Sequence, residues 1–102
     1  MKEKPVQTFV GSEDNAVTDE PTLVYWLIVG GDVGERGYVY LRDGFSATDE
    51  IRFGTYAYNG GSYHFNPPIR FAHGVYIDID TAAIKLYTIG YLFERIALAK
   101  EQ

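Results

Sequence analysis

The carboxylates, imidazoles and hydroxyls of this chain are few enough to weigh one by one. Asp78 and Asp80 flank a single isoleucine, so on a strand they share one face, roughly 7 Å apart, and could hold a hard cation. A calcium ion asks for about six to eight oxygens, and no flanking loop visibly supplies the rest, so a solvated strand face beside a turn is the simpler reading. His64 and His73 are the only imidazoles. Each lies next to aromatics or a turn, and neither stands at ligand spacing from a second histidine or a cysteine, so structural hydrogen bonding is expected of both. Ser12, Ser46 and Ser62 lie in Gly-rich or polar segments with no nucleophile-elbow pattern around them. Gly30-Gly31-Asp32-Val33-Gly34 lacks the Lys-Ser/Thr ending of a phosphate loop, and no convincing helix follows it, so it reads as a turn. No catalytic set, cofactor site or metal site is expected.

The aromatic residues are the richer signal. They make up 16% of the chain and nine of them are tyrosines, whose rings suit strands and half-buried surfaces while the hydroxyl stays hydrated. Tyr25, Trp26, Tyr56, Tyr58 and Tyr63 would make a platform for sugar rings in a carbohydrate-binding β-sandwich module. Core packing together with a protein interface explains the same rings more simply, because aromatics are enriched at protein contacts. The candidate partner-binding residues are Val6, Thr8 and Val10, which share one face of a short β-prone stretch suited to adding onto a sheet edge, in this subunit or a neighbour, together with Tyr25 and Trp26.

Length and charge narrow the class. A chain of 102 residues has room for one modest core. With no cysteine, stability must come from packing, sheet pairing or oligomerisation. A net charge of −5 without a Lys/Arg cluster argues against a nucleic-acid partner. The longest apolar run, Leu23 to Val29, is far short of the roughly 20 residues that cross a bilayer, so no membrane partner is expected and a soluble product made in the cytoplasm is the default.

The elements that must position these residues follow from period-two alternation and turn residues. Residues 1–21 are acidic and poor in large apolar side chains, and read as an N-terminal arm ahead of a β-sandwich domain over 22–102. Leu23, Tyr25, Leu27 and Val29 alternate with Val24, Trp26 and Ile28, which predicts a strand buried on both faces. Tyr38 to Leu41 alternates next, and Asp43-Gly44 signals a turn. Ile51 to Tyr56 and Tyr63 to Phe65 read as the arms of a hairpin closed by Asn59-Gly60-Gly61. Pro67-Pro68 should stop regular pairing. Val75, Ile77 and Ile79 face the core opposite a solvated Tyr76, Asp78 and Asp80. Ile84 and Leu86 should continue that core on an antiparallel partner strand after a turn at residues 80–82. Beyond Gly90 the pattern fits a last strand slightly better than a short helix. The fold class is therefore all-β: a small antiparallel β-sandwich or jelly-roll-like barrel of six to eight short strands, with an extended N-terminal arm.

One ordered set of residues carries a resemblance: Tyr38-Val39-Tyr40-Leu41-Arg42-Asp43-Gly44, then Ile51, Phe65, Pro67-Pro68-Ile69, Phe71, Gly74-Val75-Tyr76-Ile77 and Leu86-Tyr87-Thr88-Ile89-Gly90-Tyr91. From Leu23 to Tyr91 this order resembles the small β-sandwich virion proteins of tailed bacteriophages. The resemblance implies a capsid decoration (cement) protein, or a related head, neck or tail accessory protein, located in the virion with the capsid surface favoured. It implies the phage major capsid protein or another virion protein as partner, and a homo-oligomer with a trimer favoured. It carries over no catalytic residues.

Overall fold

Alternation becomes eight strands in the computed structural model, which describes residues 6–31, 34–58 and 60–98. They are β1 (Gln7–Gly11), β2 (Asn15–Ala16), β3 (Thr22–Gly31), β4 (Arg36–Asp43), β5 (Glu50–Tyr58), β6 (Gly61–Phe71), β7 (Val75–Ile79) and β8 (Ile84–Phe93). A single helical turn, α1 (Glu94–Ala97), follows β8 directly, so the stretch after Gly90 finishes a strand and then turns helical. Two antiparallel four-stranded sheets form. Sheet A has the order β1-β8-β3-β6, and sheet B the order β2-β7-β4-β5.

The pairs β1–β8, β2–β7, β3–β6 and β4–β5 nest one inside the next. A chain paired this way is one long hairpin rolled up on itself, the jelly-roll arrangement. The nesting forces every connection except β4–β5 to cross from one sheet to the other. Two hairpins expected from the sequence are therefore absent. The turn at Gly60-Gly61 carries the chain from β5 in sheet B to β6 in sheet A, and the turn after Ile79 carries it from β7 to β8. At the first crossing Gly60 has φ +90, and a Cβ there would lie 2.5 Å from the Val29 carbonyl oxygen, so only glycine fits without strain. Neighbouring Asn59, and Asp32-Val33 of the Gly30–Gly34 turn, lie outside the described residues.

The segment read as an arm is built into both sheets. β1 pairs with β8 along its length and β2 pairs with β7. Between them the Glu13 carbonyl accepts the Tyr87 hydroxyl at 2.7 Å, and Asp14 Oδ1 accepts the Ile79 amide at 2.9 Å. After β2, buried Thr18 donates to Thr22 Oγ1 and accepts the Val75 amide at 2.9 Å, while Thr22 donates to the Glu20 carbonyl. A polar segment packs here because its hydrogen bonds satisfy strands that would otherwise present bare edges. Met1 to Pro5 lie outside the described residues.

The core fills the space between the sheets with Val24, Leu27, Val29, Val39, Leu41, Phe71, Val75, Ile77, Ile79, Ile84, Tyr87 and Ile89. Three expectations are corrected by β-bulges and burial. In β3 the register slips between Val24 and Trp26, so Val24, Leu27 and Val29 face the core and Ile28 is exposed, where burial on both faces was expected. In β8 a slip between Ile84 and Leu86, opposite Gly31 and Gly30, turns Leu86 outward to 52% exposure; the expected core residue is a surface residue. In β7, Asp78 is buried and paired with Arg42 at 3.0 Å, where a solvated face was expected. The Pro67-Pro68 segment continues β6 as an extended strand, while its ladder to β3 is interrupted between His64 and Ile69.

Two stability measurements test this arrangement. Ile77→Ala removes a fully buried side chain and should lower unfolding free energy by about 2–5 kcal/mol in a denaturant titration, whereas Leu86→Ala should change it by less than about 0.5 kcal/mol. Deleting residues 1–20 should abolish cooperative melting, since it removes β1, β2 and the Thr18 and Glu13 partners of the core. A truncated chain melting within a few degrees of the intact one would show that these strands are dispensable.

Candidate protein-docking face

Residues directly opposite across a ladder share a face of the sheet, so register sorts the outer surface of sheet A into rows. Val10, Thr88, Ile28 and Ser62 form one row across β1, β8, β3 and β6, and Thr8, Gly90, Trp26 and His64 form the next. Leu86 stands opposite Gly30, beyond the first row. Val6, two residues before Thr8, alternates onto the same side. Val6, Val10, Ile28 and Leu86 are all exposed, Val10 to 59%. The Trp26 ring lies over Gly90, where any Cβ would collide with it, so the indole rests flat on β8. The result is a mixed apolar and hydroxyl-bearing surface without a formal charge, in which Thr88 stands between Val10 and Ile28. Its rim is polar: the Arg70–Glu94 ion pair stands at the end near α1, and Lys85 near Leu86 at the other.

Four of the five sequence-predicted binding residues, Val6, Thr8, Val10 and Trp26, come together on this face. Tyr25 does not join them. It is the extra residue of the β3 bulge, half-buried and in neither row. Ile28 and Leu86 were missed as surface residues because each looked apolar enough for the core. The signal that would have exposed them, a phase change in each strand, depends on which strand lies opposite.

The remaining candidates resolve differently. The five rings of the sugar platform are scattered, since Trp26 is on the outer face of sheet A, Tyr56 and Tyr58 on the outer face of sheet B, and Tyr63 packs against Phe53 with centroids 5.5 Å apart. Asp78 and Asp80 do not converge on a cation. Asp78 Oδ2 accepts Arg42 Nε at 3.0 Å and Asp80 Oδ1 accepts the Ala82 amide at 3.1 Å. No group of three or more potential metal ligands occurs among the described residues. Ser62 Oγ and His64 Nε2 lie 3.2 Å apart on an exposed strand, but no carboxylate among the described residues orients the imidazole, as a nucleophilic pair requires.

His73 and Asp43 sit in an open cleft of about 340 Å³ shared with Gly44, Phe45, Asp49 and Glu50. The carboxylates there organise backbone. Asp49 Oδ2 accepts the amides of Phe45 and Ser46 at 2.7 and 3.0 Å and the Ser46 hydroxyl at 3.2 Å, and Asp43 Oδ1 accepts the His73 amide at 2.8 Å. Burial pushes the Asp43 carboxyl up, but the His73 and Ala72 amides and the His73 imidazole together hold it below its ordinary value. Asp49 is also held low, first by the Phe45 amide. Ser12 is exposed in the bend after β1.

Comparison with known proteins gives no relative: no family model, no curated protein and no solved structure matches the chain.

The depressed Asp43 and Asp49 carboxyls make stability depend on acidity in a defined direction. Their contribution is present above the ordinary carboxylate value of 3.8 and is lost as pH falls through the lower folded-state values. The melting temperature should therefore fall on acidification below about pH 4, and Asp43→Asn should make that fall shallower. A variant with an unchanged acid limb would remove Asp43 from the account.

Proposed function

We propose that the chain is a structural protein of a tailed-bacteriophage virion, a capsid decoration (cement) protein that docks on the assembled particle with the outer face of sheet A. The observation that carries this reading is the uncharged face of Val10, Ile28 and Leu86, all exposed, with half-buried Trp26 beside them. Exposed apolar side chains grouped inside a polar rim are the usual anatomy of a protein contact. The ordered residues from Leu23 to Tyr91 that resemble phage virion proteins support the choice of partner. So does the jelly-roll arrangement, which recurs in viral capsid domains, as a fold-level analogy.

Area bears on the stoichiometry. Four strands at about 4.8 Å and about five residues at roughly 3.4 Å give a footprint of roughly 300–400 Å², below the ~800 Å² per partner of a lasting interface. One copy would hold on weakly. A homo-oligomer, with a trimer favoured, engages several such faces at once and gains by effective concentration without any new contact.

The test uses the purified chain and phage capsids stripped of accessory proteins. Light scattering should give an oligomer at micromolar concentration. The chain should pellet with the capsids, and emission from Trp26, the only tryptophan, should shift to the blue as its surroundings dry. Ile28→Asp combined with Leu86→Asp should abolish pelleting at an unchanged melting temperature. A wild-type chain left in the supernatant, or a double variant that pellets equally, would overturn the proposal.

A further inference from the structure

Each sheet of the sandwich has two outer edges, and three of the four edge strands are short or interrupted. β1 and β2 are five and two residues long. β6 carries Pro67 and Pro68 within its length, and a proline cannot donate to a ladder. β5 runs for nine residues without a proline, and among the described residues no strand pairs with its outer side. A bulge opposite Arg42 confines its regular part to residues 53–58, which are rich in aromatic and β-prone side chains. A proline-free edge of this composition is a template for pairing with another strand.

Register settles which backbone groups that edge offers. The Asp80 amide donates to the Tyr38 carbonyl at 3.0 Å, while the Ile79 amide donates to Asp14 on the other side of β7. Tyr38 therefore turns its backbone toward β7. Gly37, Val39 and Leu41 turn theirs toward β5, where they exchange hydrogen bonds with Ala57, Thr55 and Phe53. Gly54, Tyr56 and Tyr58 are left with their N–H and C=O groups aimed out of the free edge. Tyr56 and Tyr58 put their rings on the outer face, 62% and 53% exposed, while Phe53 and Ala57 pack inward. The outer side of Gly54 lies beside the Tyr40 ring, 3.0 Å from where a Cβ would stand.

We propose that β5 pairs antiparallel with β5 of a second copy across a two-fold axis at Thr55, joining the two B sheets into one continuous sheet. Residues whose backbones point out of the edge must face one another, so the axis passes through a residue and not between two. At Thr55 a large side chain meets a small one in each flanking pair: Tyr56 faces Gly54 of the second copy on the outer side, and Phe53 faces its Ala57 on the inner side. Arg52, the nearest charge, falls beside Tyr58 of the second copy, so no like charges meet. An axis at Gly54 would set glycine against glycine and leave a gap, and one at Tyr56 would set that ring against its own copy. This match of the strand to itself selects a second copy over a foreign strand. The axis stands perpendicular to the sheet, so both copies keep their sheet A faces on the same side. A two-fold seam gives even-numbered assemblies: a dimer, or three such pairs where a three-fold contact lies elsewhere. The seam rests on β5 alone and stands whether or not sheet A meets a capsid.

The test uses the intact chain, which has no cysteine of its own. On the axis, Thr55 meets its copy as a non-hydrogen-bonded pair with Cα atoms about 4.5 Å apart, within reach of a disulfide. Thr55→Cys, oxidised in air, should cross-link to a covalent dimer. The more exposed Tyr56→Cys lies two residues out of register with its copy, beyond the roughly 7 Å a disulfide spans, and should cross-link about tenfold more slowly or less. In the unmodified chain, hydrogen exchange at the Gly54 and Tyr56 amides should slow about tenfold or more between micromolar and millimolar concentration, because the pairing follows mass action. A seam of about six residues a side is small beside a lasting interface, which places its dissociation in that range. Equal or faster cross-linking at residue 56, or rapid exchange at both amides at every concentration, would overturn the proposal. Protection of those amides that appears only when stripped capsids are added would overturn it in favour of a strand supplied by the particle.

Discussion

The antiparallel pairing of β1 with β8 is the contact from which the rest of the sandwich follows. β8 is an interior strand of sheet A, and one whole side of its backbone would be unpaired if residues 7–11 did not lie along it. The same pairing sets Phe9 against Tyr87, centroids 6.2 Å apart, with Phe9 packed on the core. It brings the Glu13 carbonyl to the Tyr87 hydroxyl, a group that burial, and then the Asp14 and Glu13 carboxylates, push up to about 12, so that it stays a donor at ordinary pH. A polar segment can be ordered here because each of its bonds goes to a group that would otherwise be dehydrated without a partner. With first and last strands joined, the nested pairs inside them have one way to close.

Nesting explains why the two outer faces differ. A strand that crosses from sheet to sheet at almost every turn contributes one set of side chains to the core and leaves the other set on a surface shared with strands distant in sequence. On sheet B those outward sets are Tyr38-Tyr40-Arg42, Tyr56-Tyr58 and Tyr76-Asp78, which hold one another through stacking and the Arg42–Asp78 pair. On sheet A they are Thr8-Val10, Trp26-Ile28 and Leu86-Thr88, which hold one another through little beyond the indole on Gly90. The bulges make the second face what it is. Without the slip beside Leu86 that side chain would point inward, and without the slip at Tyr25 the inward and outward sets of β3 would exchange over part of its length.

What was legible in the sequence follows from the same geometry. Val75, Ile77 and Ile79 could be placed because β7 alternates without interruption, and Val6, Thr8 and Val10 because a short strand has no room to slip. The all-β class followed from tyrosine, glycine and period two. Strand partners did not, since Asn59-Gly60-Gly61 has the composition of a hairpin turn and nothing local shows that the following strand joins the other sheet. The solvated reading of Asp78 failed for a related reason: its partner Arg42 lies 36 residues away and meets it through the β4–β7 ladder alone. The arm was misread because acidic composition predicts solvation, whereas Glu13 works through its backbone carbonyl and Asp14 through a bond to the Ile79 backbone amide, in places composition does not mark.

The difference between the faces also constrains how the molecule can stand against a partner. Dehydrating the sheet A face releases water from Val10, Ile28, Leu86 and Trp26 and strands no formal charge, so contact there is favourable in proportion to area. Dehydrating the sheet B face would cover Arg36 and the exposed Tyr56 and Tyr58, whose polar groups no apolar surface can hydrate, so an apolar partner meets a penalty there that a polar one does not. The two outer faces thus differ in what a contact would cost. A copy seated on a particle through sheet A would keep sheet B hydrated and facing away, because those faces are the opposite outer surfaces of one sandwich only two strand layers deep.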